Sequence, residues 1–145
     1  MAEFTYIPEQ TVAYGQSVIY NTTIPCTKGY IIHRNESGLV TLRGIVNNPC
    51  ARFARYQVTF NGNIAIPDGG TVGAISLAIA IDGEPVLSSK AIVTPAATGD
   101  YFNVTSTALI TVPAGCCFNV SVENTSDTSE TITVQNSNLV ATRVA

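Results

Sequence analysis

His33 is the only histidine in the chain, so any histidine-dependent catalysis would have to use it. A Ser-His-acid triad needs a histidine as its proton shuttle, and Ser37 and Glu36 lie close by in sequence. Closeness in sequence does not establish a catalytic geometry, however, and a lone histidine cannot form a histidine metal cluster. We therefore interpret His33 as a packed or surface residue and predict that the chain is not an enzyme.

The most closely spaced acidic pair that could act as general acid and base is Asp82 and Glu84. They flank Gly83, and Asp-Gly is a strong signal for a tight hairpin turn, where aspartate is favoured for backbone reasons. Asp68, Asp82 and Asp127 could donate oxygen ligands to calcium, but they are scattered along the chain. The sequence therefore predicts no catalytic pair, no metal and no cofactor.

The four cysteines do not form a zinc motif, since no two of them are separated by two to four residues. They are Cys26, Cys50, Cys116 and Cys117. The adjacent pair would point to opposite faces of a strand. The first residues show no secretion signal, so we expect reduced, semi-buried thiols and a chain made in the cytoplasm.

Aromatic side chains offer a different chemistry, which is stacking on sugar rings. Five tyrosines could form such a platform if several of them were exposed together: Tyr14, Tyr20, Tyr30, Tyr56 and Tyr101. This pattern keeps open a carbohydrate-binding or receptor-binding function.

The amino-acid composition indicates the fold class and excludes some classes of function. Threonine, valine and isoleucine number 18, 15 and 14 among 145 residues, and β-branched types favour strands. Only 12% of residues are charged and 46% are hydrophobic, which predicts surface hidden in an oligomer. The sparse basic residues and a pI of about 4.9 argue against nucleic-acid binding, and no apolar run is long enough to span a membrane.

One predicted strand, over residues 74–81, has two different faces. Its large side chains are Ile75, Leu77, Ile79 and Ile81. Its small side chains are Ala74, Ser76, Ala78 and Ala80. Alternation places the two sets on opposite sides of the strand. We predict that the large row faces the core and that the small row contacts a neighbouring subunit.

Turn signals divide the chain into nine or ten short strands without a helical segment, which predicts an all-β sandwich or barrel. Residues 1–10 lack a clear period and contain Pro8, so they are predicted to be an extended N-terminal arm. The domain proper is predicted to cover residues 11–145.

The order of several strand segments resembles the tumour-necrosis-factor-like jelly roll, which also includes the complement globular heads and the C-terminal domains of spore-surface collagen-like glycoproteins. The matching segments are Gly38-Leu39-Val40-Thr41-Leu42, Tyr56-Gln57-Val58-Thr59-Phe60, Ile81-Asp82-Gly83-Glu84-Pro85-Val86, Leu109-Ile110-Thr111-Val112-Pro113-Ala114-Gly115, Val120-Ser121-Val122-Glu123-Asn124 and Asn138-Leu139-Val140-Ala141-Thr142-Arg143-Val144. The resemblance implies a ten-strand sandwich that assembles as a homotrimer and serves as a binding or structural module.

No collagen-like stalk precedes the domain, and a free-standing head with a short arm is similar to phage head-fibre or capsid decoration proteins. We therefore expect a structural protein of a phage virion, with a bacterial or spore surface as the alternative location. The expected partners are other copies of the chain and capsid or other virion proteins. If the chain is instead a binding module, surface glycans are expected partners.

Overall fold

The computed structural model describes residues 1–25, 29–44, 50, 52–127 and 130–144, and it arranges them as two antiparallel β-sheets packed face to face. The strands in the described residues are β1 (Ala2–Tyr6), β2 (Gln10–Val12), β3 (Thr22–Ile24), β4 (Ile31–His33), β5 (Val40–Arg43), β6 (Phe53–Ala65), β7 (Ile75–Ile81), β8 (Glu84–Pro85), β9 (Ala91–Val93), β10 (Phe102–Pro113), β11 (Cys117–Asn124) and β12 (Ile132–Arg143). A short 3-10 turn, Leu87–Ser89, lies between β8 and β9.

Each sheet contains six strands. Sheet I has the order β10-β6-β12-β1-β3, with β2 also paired to β12. Sheet II has the order β4-β5-β11-β7-β8, with β9 also paired to β7. The part of the chain that the structure describes contains no helix long and apolar enough to cross a membrane.

The core lies between the two sheets and is filled by alternate residues of the long strands. Tyr56, Val58 and Phe60 of β6 are buried there, as their alternation with polar residues predicts. From sheet II, Leu77 and Ile79 of β7 belong to the same cluster. The large face of this strand therefore packs into the core, as the sequence indicated.

Residues 1–10 are extended, but they are not an arm outside the domain. β1 lies inside sheet I, where Ala2 pairs with Ala141 of β12 and Thr5 pairs with Thr22 of β3. Ala2 and Phe4 are buried in the core. The boundary expected at residue 10 therefore has no counterpart in the packing.

The residues near the C-terminus form one continuous strand, β12. Its pairing with β6 shifts register between Gln135 and Asn138, and Asn136 has a φ of 52°. A β-bulge absorbs extra residues without ending the strand. This bulge explains why the hydrophobic alternation stops within a continuous strand.

The chain that returns after the Asp-Gly turn is not one continuous strand, because the 3-10 turn separates β8 from β9. Ser89 is buried there, and its hydroxyl accepts a hydrogen bond from the backbone N–H of Ile79 at 2.9 Å. The same hydroxyl donates to the carbonyl of Val86 at 2.6 Å. The serine side chain thus replaces a ladder contact that the backbone does not make.

Candidate functional site

The small-residue face of β7 has no free surface. Ser76, Ala78 and Ala80 are buried in the single chain, and Ala74 is half-buried. The Ser76 hydroxyl is hydrogen-bonded to Thr125 at 2.8 Å. Because a fully buried side chain cannot touch a neighbouring subunit, Ser76, Ala78 and Ala80 cannot form the predicted subunit contact.

The broadest regular surface is the outer face of sheet I, the side away from the core. Register and alternation place on this face Glu3, Thr5, Arg55, Gln57, Thr59, Asn61, Asn63, Asn103, Thr105, Thr107, Leu109, Thr111, Asn138, Val140 and Thr142. Only Glu3 and Arg55 among these residues are charged. The same register adds the exposed apolar side chains Ile24 and Phe53 to this face, which is therefore mostly polar and nearly uncharged.

Cross-strand hydrogen bonds order these polar side chains on β6 and β10. Asn103 donates to Asn63 at 3.2 Å, Thr105 donates to Asn61 at 3.1 Å, and Thr59 and Thr107 are 3.2 Å apart. Such pairs fix the rotamers of neighbouring side chains. The face consequently presents a rigid pattern of amides and hydroxyls.

A cleft of about 340 Å³ opens on the outer side of sheet II. It is lined by Ile32, Arg34, Ser37, Leu39, Thr41 and Asn119. Ile32 pairs with Thr41, and Thr41 pairs with Asn119, so one cross-strand row from β4, β5 and β11 forms its floor. Arg34, Ser37 and Leu39 come from the connection between β4 and β5.

Hydrogen bonds orient the polar groups of this cleft. The Thr41 hydroxyl donates to Asn119 Oδ1 at 2.7 Å, which leaves the two Nδ2 protons of the amide directed away from that bond. The Ser37 Oγ accepts from the Leu39 N–H at 3.1 Å. Asp82 Oδ1 accepts from the Asn119 backbone N–H at 2.9 Å. The cleft is therefore preformed rather than a chance gap between loose side chains.

The predicted tyrosine platform does not form. Tyr20 and Tyr56 are fully buried and Tyr30 is half-buried, which leaves only Tyr14 and Tyr101 exposed. Burial raises the pKa of Tyr20. The Tyr101 hydroxyl donates to Glu9 at 2.8 Å, and burial, together with the Glu9 carboxylate, raises the pKa of Tyr101.

The structure places His33 in a packing role. Its Nε2 lies 2.8 Å from the Ser37 carbonyl, which can only accept, so Nε2 carries the proton and Nδ1 accepts from the Thr23 hydroxyl at 3.0 Å. The ring also packs on Phe4, with ring centroids 4.8 Å apart. Both ring nitrogens are thus occupied by structural contacts.

The acidic residues and thiols are likewise not gathered into a site. Asp82 has a φ of 51° and begins the β7–β8 turn, as the Asp-Gly signal predicted. Within the described residues, no group of three or more histidine, cysteine or acidic side chains could hold a metal. Cys50, Cys116 and Cys117 are exposed, not semi-buried as expected, and Cys26 lies outside the described residues.

No family model matches the chain, and no curated protein matches it. Solved structures do match. The structure of Eiger TNF from S. frugiperda aligns with a TM-score of 0.63 at 12% identity, covering 100% of this chain and 92% of that one. The globular domain of the zebrafish complement 1qA protein aligns with a TM-score of 0.58 at 12% identity, covering 96% of this chain and 94% of that one.

These likenesses and the two packed sheets define an antiparallel β-sandwich. More particularly, the chain has the TNF/C1q-like jelly-roll fold. The fold predicted from the order of the strand segments is therefore confirmed. At such low identity the likeness shows the fold alone, and function has to be argued from the surfaces.

Proposed function

We propose that this chain is a non-enzymatic structural module that assembles as a homotrimer through the outer face of sheet I. The observation that carries the proposal is the near absence of charge on that face. The centres of protein interfaces are depleted of charged residues, and a non-obligate interface taken as a whole is only about as apolar as the remaining surface. A contact between copies of the chain, formed by the ordered amides and hydroxyls of this face, fits its low charge.

Among the described residues, the surfaces of sheet II offer less for that role. The small-residue row of β7 is buried, and the exposed apolar residues of sheet II are divided between its cleft and its outer edge at β9. Leu109, by contrast, lies on the outer face of sheet I with 62% of its surface exposed. Burial of this side chain between subunits would contribute to assembly.

The oligomeric state tests the proposal directly. Native mass spectrometry should report three copies of the 15.3 kDa chain at micromolar concentration. Thr59→Arg, near the middle of the face, and Leu109→Arg should both give monomers, because each places an unpaired charge in the contact. The matched control Leu87→Arg, on a 75% exposed leucine of the 3-10 turn, should remain trimeric. A monomeric wild type, or trimers in all three variants, would refute the assignment.

The location that we propose for the module is a phage virion, as a capsid decoration or fibre-head protein, with a bacterial or spore surface as the alternative. This location rests on analogy between a weakly charged sandwich and the repeated surface components of particles. Mass spectrometry of purified particles tests this location. The chain should be present at a fixed ratio to the major capsid protein, and its absence from particles would reject it.

A second candidate function, carbohydrate or receptor binding, is favoured by the sheet II cleft rather than by the tyrosines. The cleft combines two half-exposed aliphatic side chains, Ile32 and Leu39, with several oriented hydrogen-bonding groups. Ligand sites typically combine apolar walls with a few placed polar groups. A glycan array probed with wild type and Asn119→Ala tests it: specific hits that weaken in the variant are expected, and an array without hits would reject it.

A further inference from the structure

The cleft on sheet II carries one charged group, the guanidinium of Arg34. Within the described residues Arg34 has no ion pair, and Lys90 with Asp127 is the one salt bridge found there. None of the described residues that line the cleft is acidic. Asp82 lies beside it, but one of its carboxylate oxygens is used by the Asn119 backbone N–H. The lining therefore offers a positive charge without an internal counter-ion.

Neutral groups around Arg34 add further donors. The two Nδ2 protons of Asn119 remain available to a ligand, because the bond from Thr41 uses only the amide oxygen. The Ser37 hydroxyl proton remains available because the hydroxyl oxygen accepts from the Leu39 N–H. These groups and the Thr41 oxygen match a ligand that carries several hydroxyls besides an anionic group. An isolated inorganic anion would leave most of them unused.

Two aliphatic side chains, Ile32 and Leu39, form an apolar wall of the cleft that also suits a sugar ring. Ile32 and Leu39 are 47% and 48% exposed, so each offers an apolar surface at the cleft. A volume of about 340 Å³ is at the small end of the range for ligand sites. A sugar ring is small, carries C–H groups on one face, and bears hydroxyls at its rim, which matches both kinds of surface.

We propose that this cleft binds an acidic saccharide, a uronic or sialic acid residue whose carboxylate pairs with Arg34 and whose ring packs on Ile32 and Leu39. Arginine is suited to planar, two-point recognition of a carboxylate. Asn119 and Ser37 then bind the ring hydroxyls. The inference deepens the second proposed function and rests on it, whereas it is independent of trimer assembly.

Titration calorimetry with matched sugars tests the inference. Trigalacturonate is compared with its methyl ester, which keeps every hydroxyl but lacks the charge, and sialyllactose is compared with lactose. The acidic member of at least one pair should bind at least about tenfold more tightly, as expected for one charge-assisted pair. Arg34→Gln should abolish this preference, whereas the control Arg52→Gln, on another exposed arginine, should keep it.

Asn119→Ala should weaken the acidic and the neutral member of a pair by the same factor, because its amide binds hydroxyls common to both. Equal binding of both members, unchanged by Arg34→Gln, would overturn the acidic class but keep a sugar site. Binding to none of the four sugars would overturn the site itself. Tighter binding of tetraglutamate than of the acidic sugars would overturn the saccharide class in favour of an acidic peptide.

Discussion

The side chain of Asn124, the last residue of β11, is buried and uses its whole hydrogen-bonding capacity. Its Nδ2 donates to the carbonyls of Val12 at 3.0 Å and Glu130 at 2.7 Å. Its Oδ1 accepts from the Ser126 backbone N–H at 3.0 Å and from the Ser126 hydroxyl at 2.6 Å. One amide thus joins β2, the end of β11 and the approach to β12.

The substitution Asn124→Ala removes the amide. It would take this partner from four polar groups, which are the carbonyls of Val12 and Glu130 and the backbone N–H and hydroxyl of Ser126. A buried polar group left unpaired costs about 1–3 kcal/mol. Glu130 is only half-buried and the Ser126 hydroxyl can rotate, so the full sum is not reached. We expect a loss of about 3 kcal/mol from a total stability of about 5–15 kcal/mol. The melting temperature should fall by roughly 6–12 °C.

Urea unfolding followed by circular dichroism measures this loss, at one fixed subunit concentration because assembly would shift the midpoint. The control Asn21→Ala removes an exposed asparagine from its bond with Thr22 and should change stability by less than about 0.5 kcal/mol. The double variant Asn124→Ala/Ser126→Ala should lose less than the sum of its single variants, since the two side chains are partners. A loss below about 1 kcal/mol, or strict additivity, would refute the reasoning.

Three further substitutions test other buried positions. Tyr20→Phe should raise the free energy of unfolding by about 1 kcal/mol, because the Tyr20 hydroxyl is buried without a partner among the described residues; a destabilised variant in thermal melts would contradict this. Burial raises the pKa of Glu123, so the wild type loses stability as pH rises from the pKa of this carboxyl in the unfolded chain to its pKa in the folded chain. Glu123→Gln should therefore stabilise the protein at pH 7 but not at pH 3, and an equal effect at both pH values would count against this reasoning. Gly44→Ala should lower the free energy of unfolding in urea by about 3 kcal/mol, because the new Cβ would lie 2.1 Å from the Pro113 carbonyl oxygen. The control Gly15→Ala, at a φ of 76° with open space around it, should lower it by only roughly 1–2 kcal/mol. Equal losses would exclude the clash.

The parts of the fold that could be predicted from sequence are those set by local alternation. Tyr56, Val58 and Phe60 follow a strict period of two, and the structure buries all three. β1 alternates too, with Ala2 and Phe4 buried, but five residues are too few to distinguish a sheet strand from an extended arm, and its place beside β12 depends on pairing with the other end of the chain. Pairing between distant segments leaves no local pattern.

The failure of the β7 prediction has a physical reason as well. Small side chains at Ala78 and Ala80 indicate close packing, but residue size does not reveal what packs against them. Their cross-strand partners on β11, Glu123 and Ser121, are buried too, so the whole region is covered within one chain. The contact that we propose instead rests on the low charge of the outer face of sheet I, and recognising that face requires the register of four strands.

The two proposed surfaces lie on opposite sides of the sandwich, and this arrangement has a consequence for binding strength. Assembly through sheet I leaves the sheet II clefts facing outward, three in each trimer. An open cleft with one charged partner gives weak binding to a single sugar. Three clefts held on a rigid trimer raise the effective concentration for a repeated ligand, and such linkage increases overall affinity by about 10²–10⁴ without any new contact. A weak site would therefore suit a trimeric module that meets a dense array of acidic glycans, and it would not retain the module on an isolated sugar.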